Sequence, residues 1–402
     1  MSSDKNVSDK IDTILTVAGR DPASNHGVVN PPVYHASTII FPSLAAQEEA
    51  SHDPLNHITY GRSGTPTQQA LEDTMSQLEG AHRTVAVPSG LAAITGAIVG
   101  FVSAGDHMLV SDSAYGPTRR FCLNILKRFG VETTFFDPMM GAEVERLVRP
   151  NTKLFYVEAP GSLTFEVQDI PALSKVAHAH GAIVVADNTW ATPLYCQPLK
   201  LGADIVVHAG TKYVVGHSDA MMGLICCATP EQYAIVKNHS AMLGFHAAPD
   251  DSYLALRGLR TLAVRLRRHE QSALEIARWL KTRPEVAQVL HPALPDCPGH
   301  EIWKRDFTGS SGLFAFVLKD GYPKHAIAAM VDHMKLFGIG YSWGGYESLM
   351  IHAHPEVFRS ATPWPKEKTT IRVHIGLDDV DDIKADLAAG FERMEKAASK
   401  AA

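Results

Sequence analysis

HAGTKYVVGHSDA, residues 208–220, follows the apolar run ADIVV and places a lysine, Lys212, just past its end. A short apolar run bounded by turn formers reads as a buried strand. In sheets built from such strands, ligands bind beyond the carboxyl ends. Lys212 is therefore either a snorkelling charge at a strand end or a buried amine with chemistry to perform.

The surroundings favour the sheet. HMLVSD (107–112), ETTFFD (132–137), KLFYVEAP (153–160), AIVVADN (182–188), DIVVHAG (204–210) and AMMGLICCA (220–228) are short apolar runs, and helical patterns such as RRFCLNILKRFG and PALSKVAHAHG lie between them. That alternation predicts an α/β fold with a mostly parallel central sheet covered by helices. A long helical pattern follows at 261–283. Then come strand patterns GLFAFVLKD, SLMIHAH and TIRVHIGL and a final helix from 379, which read as a smaller C-terminal α/β domain. DPASNHGVVNPPVYHAST and SHDPLNHITYGRSGTPT near the N-terminus are rich in turn formers and poor in periodicity. The expected organisation is an N-terminal arm over 1–62 that serves a neighbouring subunit, a large domain over 63–255, and a C-terminal domain over 256–402.

Composition narrows the function. The chain has 402 residues, 45% hydrophobic and 20% charged, with 37 Lys+Arg against 43 Asp+Glu and a net charge of −6. This balance argues against nucleic acid or an anionic membrane as partner. Five cysteines without a CxxC pair argue against a disulfide framework or a thiolate zinc site. The polar start MSSDKNVSDKIDT lacks a secretory apolar segment, and no long uncharged apolar stretch occurs, so a cytoplasmic location is expected.

Several residues could carry chemistry, and each also admits a structural reading. In RTVAVPSGLAAITGAIVG, Ser89-Gly90 opens a helix whose free N–H groups could hold an anion; Ser89 could equally be an ordinary N-cap. Asp187 ends an apolar strand, where a carboxylate needs a partner; it is a counter-ion for a ligand nitrogen or a turn cap. Tyr115, in SDSAYGPTRR, could stack on a flat ligand or simply pack. Arg372, in TIRVHIGL, could bind a carboxylate or pair with a surface acid. The HAH pairs at 178/180 and 352/354 lack a convincing third metal ligand, so no metal is expected. RLRRHE (265–270) reads as a solvated helix face, and SWGGYE (342–347) as a loop packed under an aromatic.

Together these stretches resemble one family. DIVVHAGTKYVVGHS (204–218) is similar to the attachment-site signature of the pyridoxal-phosphate enzymes of cysteine and methionine metabolism. The resemblance continues through YGRSGTPT, SGLAAI, SAYGPT, VVADNTW, LRGLRTL and TIRVHIGL, from about 13 to 395. It implies the aspartate-aminotransferase-like fold (fold type I), pyridoxal 5'-phosphate as cofactor, and a homotetramer built from active dimers. It implies that Lys212 links to the cofactor, that Asp187 pairs with the pyridinium nitrogen, and that Tyr115 stacks on the ring, with base chemistry left open. Gly90 and Leu91 would hold the phosphate with Thr211, and Tyr60 and Arg62 would reach the phosphate of the neighbouring subunit. Arg372 would bind the substrate α-carboxylate. Ala209 departs from the serine that many members carry there.

Three stretches resemble the members that break the Cβ–S bond of L-cystathionine: EAPGSLTFEVQD (158–169) with Ser162, the run 291–314, and GYSWGGYESL (340–349) with Ser342 and Trp343. They place Ser162, Ser342, Trp343 and Tyr60 with Arg372 around a small sulfur amino acid. A γ-acting relative, and more remotely a regulator that binds the cofactor without turnover, are the alternatives.

Overall fold

The computed structural model describes residues 10–399. Seven strands form the first sheet: β1 (Arg83–Val87), β2 (His107–Ser111), β3 (Glu132–Phe136), β4 (Thr152–Glu158), β5 (Ile183–Asp187), β6 (Ile205–His208) and β7 (Gly223–Cys227). Their order is β1-β7-β6-β5-β4-β2-β3. β7 runs antiparallel to both neighbours; the other pairings are parallel. β2, β6 and β7 are buried at every position, as expected for strands covered on both faces. Register aligns the strand ends. Glu158 of β4 lies opposite Asp187 of β5, and Asp187 lies opposite Val207 of β6. The segments that follow β4, β5 and β6 therefore open at one edge.

The helix Gly90–Val99 points its first turn at that edge. Ser89 caps it by accepting the Ala92 N–H at 3.1 Å. A Cβ at Gly90 would stand 2.4 Å from the Ala209 Cβ. Only glycine lets the helix start press on the chain leaving β6, and a small residue at 209 suits the same contact.

The second sheet holds β8 (Val286–Leu290), β9 (Leu313–Leu318), β10 (Gly338–Ile339), β11 (Leu349–Ala353) and β12 (Thr370–His374), in the order β10-β11-β12-β9-β8. It is antiparallel except for β10 against β11. Helices Leu262–Leu280, Lys324–Val331 and Val380–Ser399 pack on it around Phe314, Phe316, Ile371 and Phe391, all fully buried.

The two sheets are tied together by Asp112, just past β2. Its buried carboxylate accepts the N–H groups of Ser360, Ala361 and Thr362, and ion-pairs with Arg119 at 2.8 Å and Arg359 at 3.3 Å.

The N-terminal stretch is less irregular than its composition predicts. Residues Ile11–Val17 form a helix that buries Ile14 and Leu15 against helices Pro66–Glu79 and Leu262–Leu280 of the same chain. The Leu15 carbonyl accepts from Arg260 at 2.8 Å, and Arg267 meets Asp12 at 2.8 Å. The apolar spacing Ile11, Ile14, Leu15 makes a helical face too short to stand out beside the turn-rich residues that follow.

Candidate active site

A cavity of about 360 Å³ opens at the aligned strand ends. Nine of the expected site residues line it: Gly90, Leu91, Tyr115, Ser162, Asp187, Thr211, Lys212, Trp343 and Arg372. They come from both sheets. Arg372 projects from β12, and Lys212 from the turn after β6.

Lys212 sits in a cage. Its Nζ donates to Ser342 Oγ at 2.5 Å and lies 5.4 Å from the centre of the Trp343 ring. Burial, with the Arg372 guanidinium adding to it, pulls the amine down to about 8, against an opposing pull from the Asp187 carboxylate. An amine so shifted is a usable nucleophile and base near neutrality. Gly344, at φ 89°, packs directly on the Lys212 backbone, where a Cβ would lie 2.9 Å from its carbonyl carbon. The glycine pair of the SWGGYE loop thus lets the loop close over Lys212.

Asp187 is held by three donors. The Thr189 hydroxyl reaches Oδ1 at 2.6 Å, the Thr189 N–H at 3.0 Å, and the Tyr156 hydroxyl reaches Oδ2 at 3.1 Å. Thr189 in turn accepts the Ala209 N–H at 2.9 Å. Asp187 is therefore fixed in direction while still lining the cavity.

Glu158, which sequence reasoning passed over, also lines the cavity. Its Oε2 accepts the Tyr115 N–H at 2.7 Å. Burial and then the neighbouring Asp187 push its carboxyl well above the usual range. The signal was an acid ending an apolar strand in KLFYVEAP. Its meaning appears only once β4 and β5 are in register. Tyr115 is 45% exposed; burial of its phenol and the nearby Glu158 raise it above the ordinary tyrosine value. It is thus a neutral phenol.

Arg372 donates to the Ser342 carbonyl at 3.0 Å, and its buried Nε has no partner among the described residues. Burial lowers it to about 10, which leaves it cationic at neutral pH. Ser342 therefore contacts both cations, and it does so at φ 80°, a backbone region rarely adopted by non-glycine residues. The Thr211 hydroxyl is engaged with the Met222 backbone, accepting its N–H at 2.9 Å and donating to its carbonyl at 3.2 Å.

Tyr60 and Arg62 do not line this cavity. Tyr60 is 45% exposed, and Arg62 donates to the Ala241 carbonyl at 2.8 Å. The HAH pairs meet carboxylates: His178 lies 2.9 Å from Asp204, and His354 lies 2.9 Å from Glu356. Among the described residues no group of three His, Cys, Asp or Glu side chains converges as a metal site, and no helix is long and apolar enough to cross a membrane.

The cavity suits a flat, anionic, aldehyde-bearing cofactor. Gly90 and Leu91 lie in the first helical turn, where N–H groups lack intrahelical partners. An anchored carboxylate, a depressed amine and a guanidinium with an unpartnered Nε complete the wall. The family pattern of the pyridoxal-phosphate-dependent enzymes of Cys/Met metabolism matches residues 12–392, and the chain belongs to that family. It is a carbon–sulfur-metabolising enzyme dependent on pyridoxal phosphate, with the fold type I architecture read from its sequence.

Among its relatives, a protein named cystathionine beta-lyase in Escherichia coli (strain K12) is 44% identical, over 96% of this chain and 99% of that one. One named L-alanine/L-glutamate racemase, from Wolbachia pipientis wMel, is 41% identical over 96% and 98%. A solved cystathionine gamma synthase from Xanthomonas oryzae pv. oryzae shares 30% identity with a TM-score of 0.89, covering 96% of this chain and 99% of that one.

Proposed function

We propose that this enzyme cleaves L-cystathionine by α,β-elimination, releasing homocysteine, pyruvate and ammonia. The observation that carries the reading is the convergence on Lys212. A depressed amine is gripped by Ser342 and Trp343, between the fixed carboxylate of Asp187 and the spare donor of Arg372. The choice of Cβ over Cγ rests on Ser162 and the Ser342-Trp343 pair, and on the 44% identity with the cystathionine beta-lyase.

Bound pyridoxal phosphate supplies the electron sink that makes loss of a Cα proton feasible. The residues of the chain do the rest. Lys212 holds the cofactor and, once freed by substrate, takes the Cα proton on Nζ. Asp187 would pair with the ring nitrogen. Gly90 and Leu91 would offer backbone N–H groups to the phosphate, and Tyr115 would stack on the ring. Thr211 acts by fixing the turn after β6, since its hydroxyl is already used by Met222. Arg372 takes the α-carboxylate and so turns the single Cα–H bond toward Lys212. The Cβ–S bond then breaks with its electron pair on sulfur, and the released enamine hydrolyses to pyruvate and ammonia.

Self-association completes the reading. Tyr60 and Arg62 lie outside their own cavity; Ile40 and Leu44, before them in the chain, are exposed apolar residues, and so are Met242 and Leu243, next to the Ala241 carbonyl that Arg62 engages. These support an N-terminal arm whose stretch around Tyr60 and Arg62 reaches a second copy, in a dimer of dimers.

Cofactor-loaded wild type and Lys212→Ala are incubated with L-cystathionine, and free thiol is followed. Thiol release by the wild type alone is expected. Intact thioether together with D-amino acid formed from L-alanine would replace the lyase with a racemase.

A further inference from the structure

A second cavity, about 570 Å³, adjoins the first. The two share Tyr115, Ser162, Leu163 and Arg372 as walls. A ligand anchored on Arg372 can therefore extend from one into the other. The far walls come from the start of the helix after Tyr115, from His352 in β11, and from the segment that follows β11, including His354 and Phe358.

Three arginines line this second cavity, and only one has its charge to spare. Arg359 is consumed: its guanidinium contacts Asp112, Thr164, Glu166 and Thr362. Arg372 belongs to the junction. Arg120 is exposed and makes no hydrogen bond or ion pair among the described residues. Its neighbour Arg119 shows the contrast, being buried against Asp112 at 2.8 Å and stacked over Phe135. The remaining cavity histidines do not compete as fixed cations. Burial and the neighbouring His354 lower His352, and His354 is paired with Glu356. Asp112, the acid lining this cavity, is already saturated by backbone donors and two arginines.

We infer that the second cavity receives the leaving half of the substrate and that Arg120 binds its carboxylate. The inference rests on the lyase reading above, because L-cystathionine carries a second amino-acid head beyond its thioether. A planar guanidinium without a partner, in a cavity whose other charges are neutralised, matches a carboxylate in shape and sign. Arg120 is then a specificity residue. It selects thioethers whose leaving group ends in a carboxylate over simple S-alkyl cysteines, and it touches neither the breaking bond nor the cofactor.

The test compares L-cystathionine with S-ethyl-L-cysteine, which lacks the distal head, in wild type, Arg120→Gln and Arg120→Lys. Pyruvate formation gives kcat/KM for each. In Arg120→Gln the preference for cystathionine should fall about tenfold, mainly through KM, with partial recovery in Arg120→Lys. An unchanged preference in Arg120→Gln, with pyruvate still formed from both substrates, would overturn this inference alone. No pyruvate from either substrate with wild type would overturn the lyase reading and the inference with it.

Discussion

Ser342 joins Lys212 to Arg372: its hydroxyl accepts from Lys212 Nζ at 2.5 Å, and its carbonyl accepts from the Arg372 guanidinium at 3.0 Å. The residue holds both contacts at φ 80°. Alanine pays the same backbone strain without the hydroxyl, whereas glycine relieves the strain and also loses the hydroxyl. Ser342→Gly should therefore be more stable than Ser342→Ala by about 1 kcal/mol, while both lose roughly tenfold in turnover. Thermal melts beside steady-state assays check this; equal melting of the two variants would remove the strain from the account.

The Lys212 amine must be neutral to capture an aldehyde. Burial first, and Arg372 second, lower it to about 8. In cofactor-free protein, the rate of pyridoxal phosphate uptake should rise with pH through a midpoint near that value. Arg372→Leu removes a like charge and should move the midpoint upward. Stopped-flow absorbance across pH gives both curves. Coincident midpoints would show that Arg372 does not act on the amine.

Glu158 and Asp187 end adjacent strands in register, but they are expected to behave differently on amide substitution. Glu158 is pushed well above the carboxylate range by burial and by Asp187, which favours the uncharged form that glutamine mimics, and glutamine can still accept the Tyr115 N–H. Glu158→Gln should keep cofactor affinity within about twofold, a shift inside the roughly ±0.5 kcal/mol expected of mild substitutions. Asp187→Asn removes the negative charge facing the ring nitrogen and should cost at least about a hundredfold in turnover. Cofactor titration and pyruvate assays on the pair separate the two roles. A severe loss in Glu158→Gln would mean that the acid is ionised in the holoenzyme.

Asp112 carries the join between the two sheets. Burial pushes its carboxyl up, but the N–H groups of Thr362, Ser360 and Ala361, and then Arg119, outweigh it and bring it from 3.8 to about 2. A folded-state value below the unfolded one adds about 2 kcal/mol of stability. That contribution is complete above the ordinary value of 3.8 and is lost as pH falls through about 2. Asp112→Asn leaves the buried Arg119 without its acid, while Arg359 keeps Glu166, and should destabilise by about 3 kcal/mol. Urea melts at neutral pH, with limited proteolysis to report release of residues 355–362, read this directly.

The strand runs were legible because a covered parallel sheet needs continuous apolar stretches, and VVADN and DIVVHAG show them plainly. Lys212 and Asp187 stood out as charges at the ends of such runs. Glu158 did not, because its meaning depends on which strand lies beside β4, and that pairing is a tertiary fact. The Asp112 cage was equally hidden: its partners at 359–362 lie far along the chain and offer mainly backbone N–H groups, which no residue type announces. The helix Ile11–Val17 was missed because seven residues give too few turns for periodicity to emerge. Tyr60 and Arg62 remain assigned to a neighbouring copy by resemblance.

The most direct measurement identifies the keto acid formed from L-cystathionine by the pyridoxal-phosphate-loaded enzyme. Pyruvate with homocysteine is the result the account predicts, with cleavage at Cβ. 2-Oxobutyrate with cysteine would place cleavage at Cγ and contradict the role given to Ser342 and Trp343, while leaving the cofactor cavity around Lys212 as described.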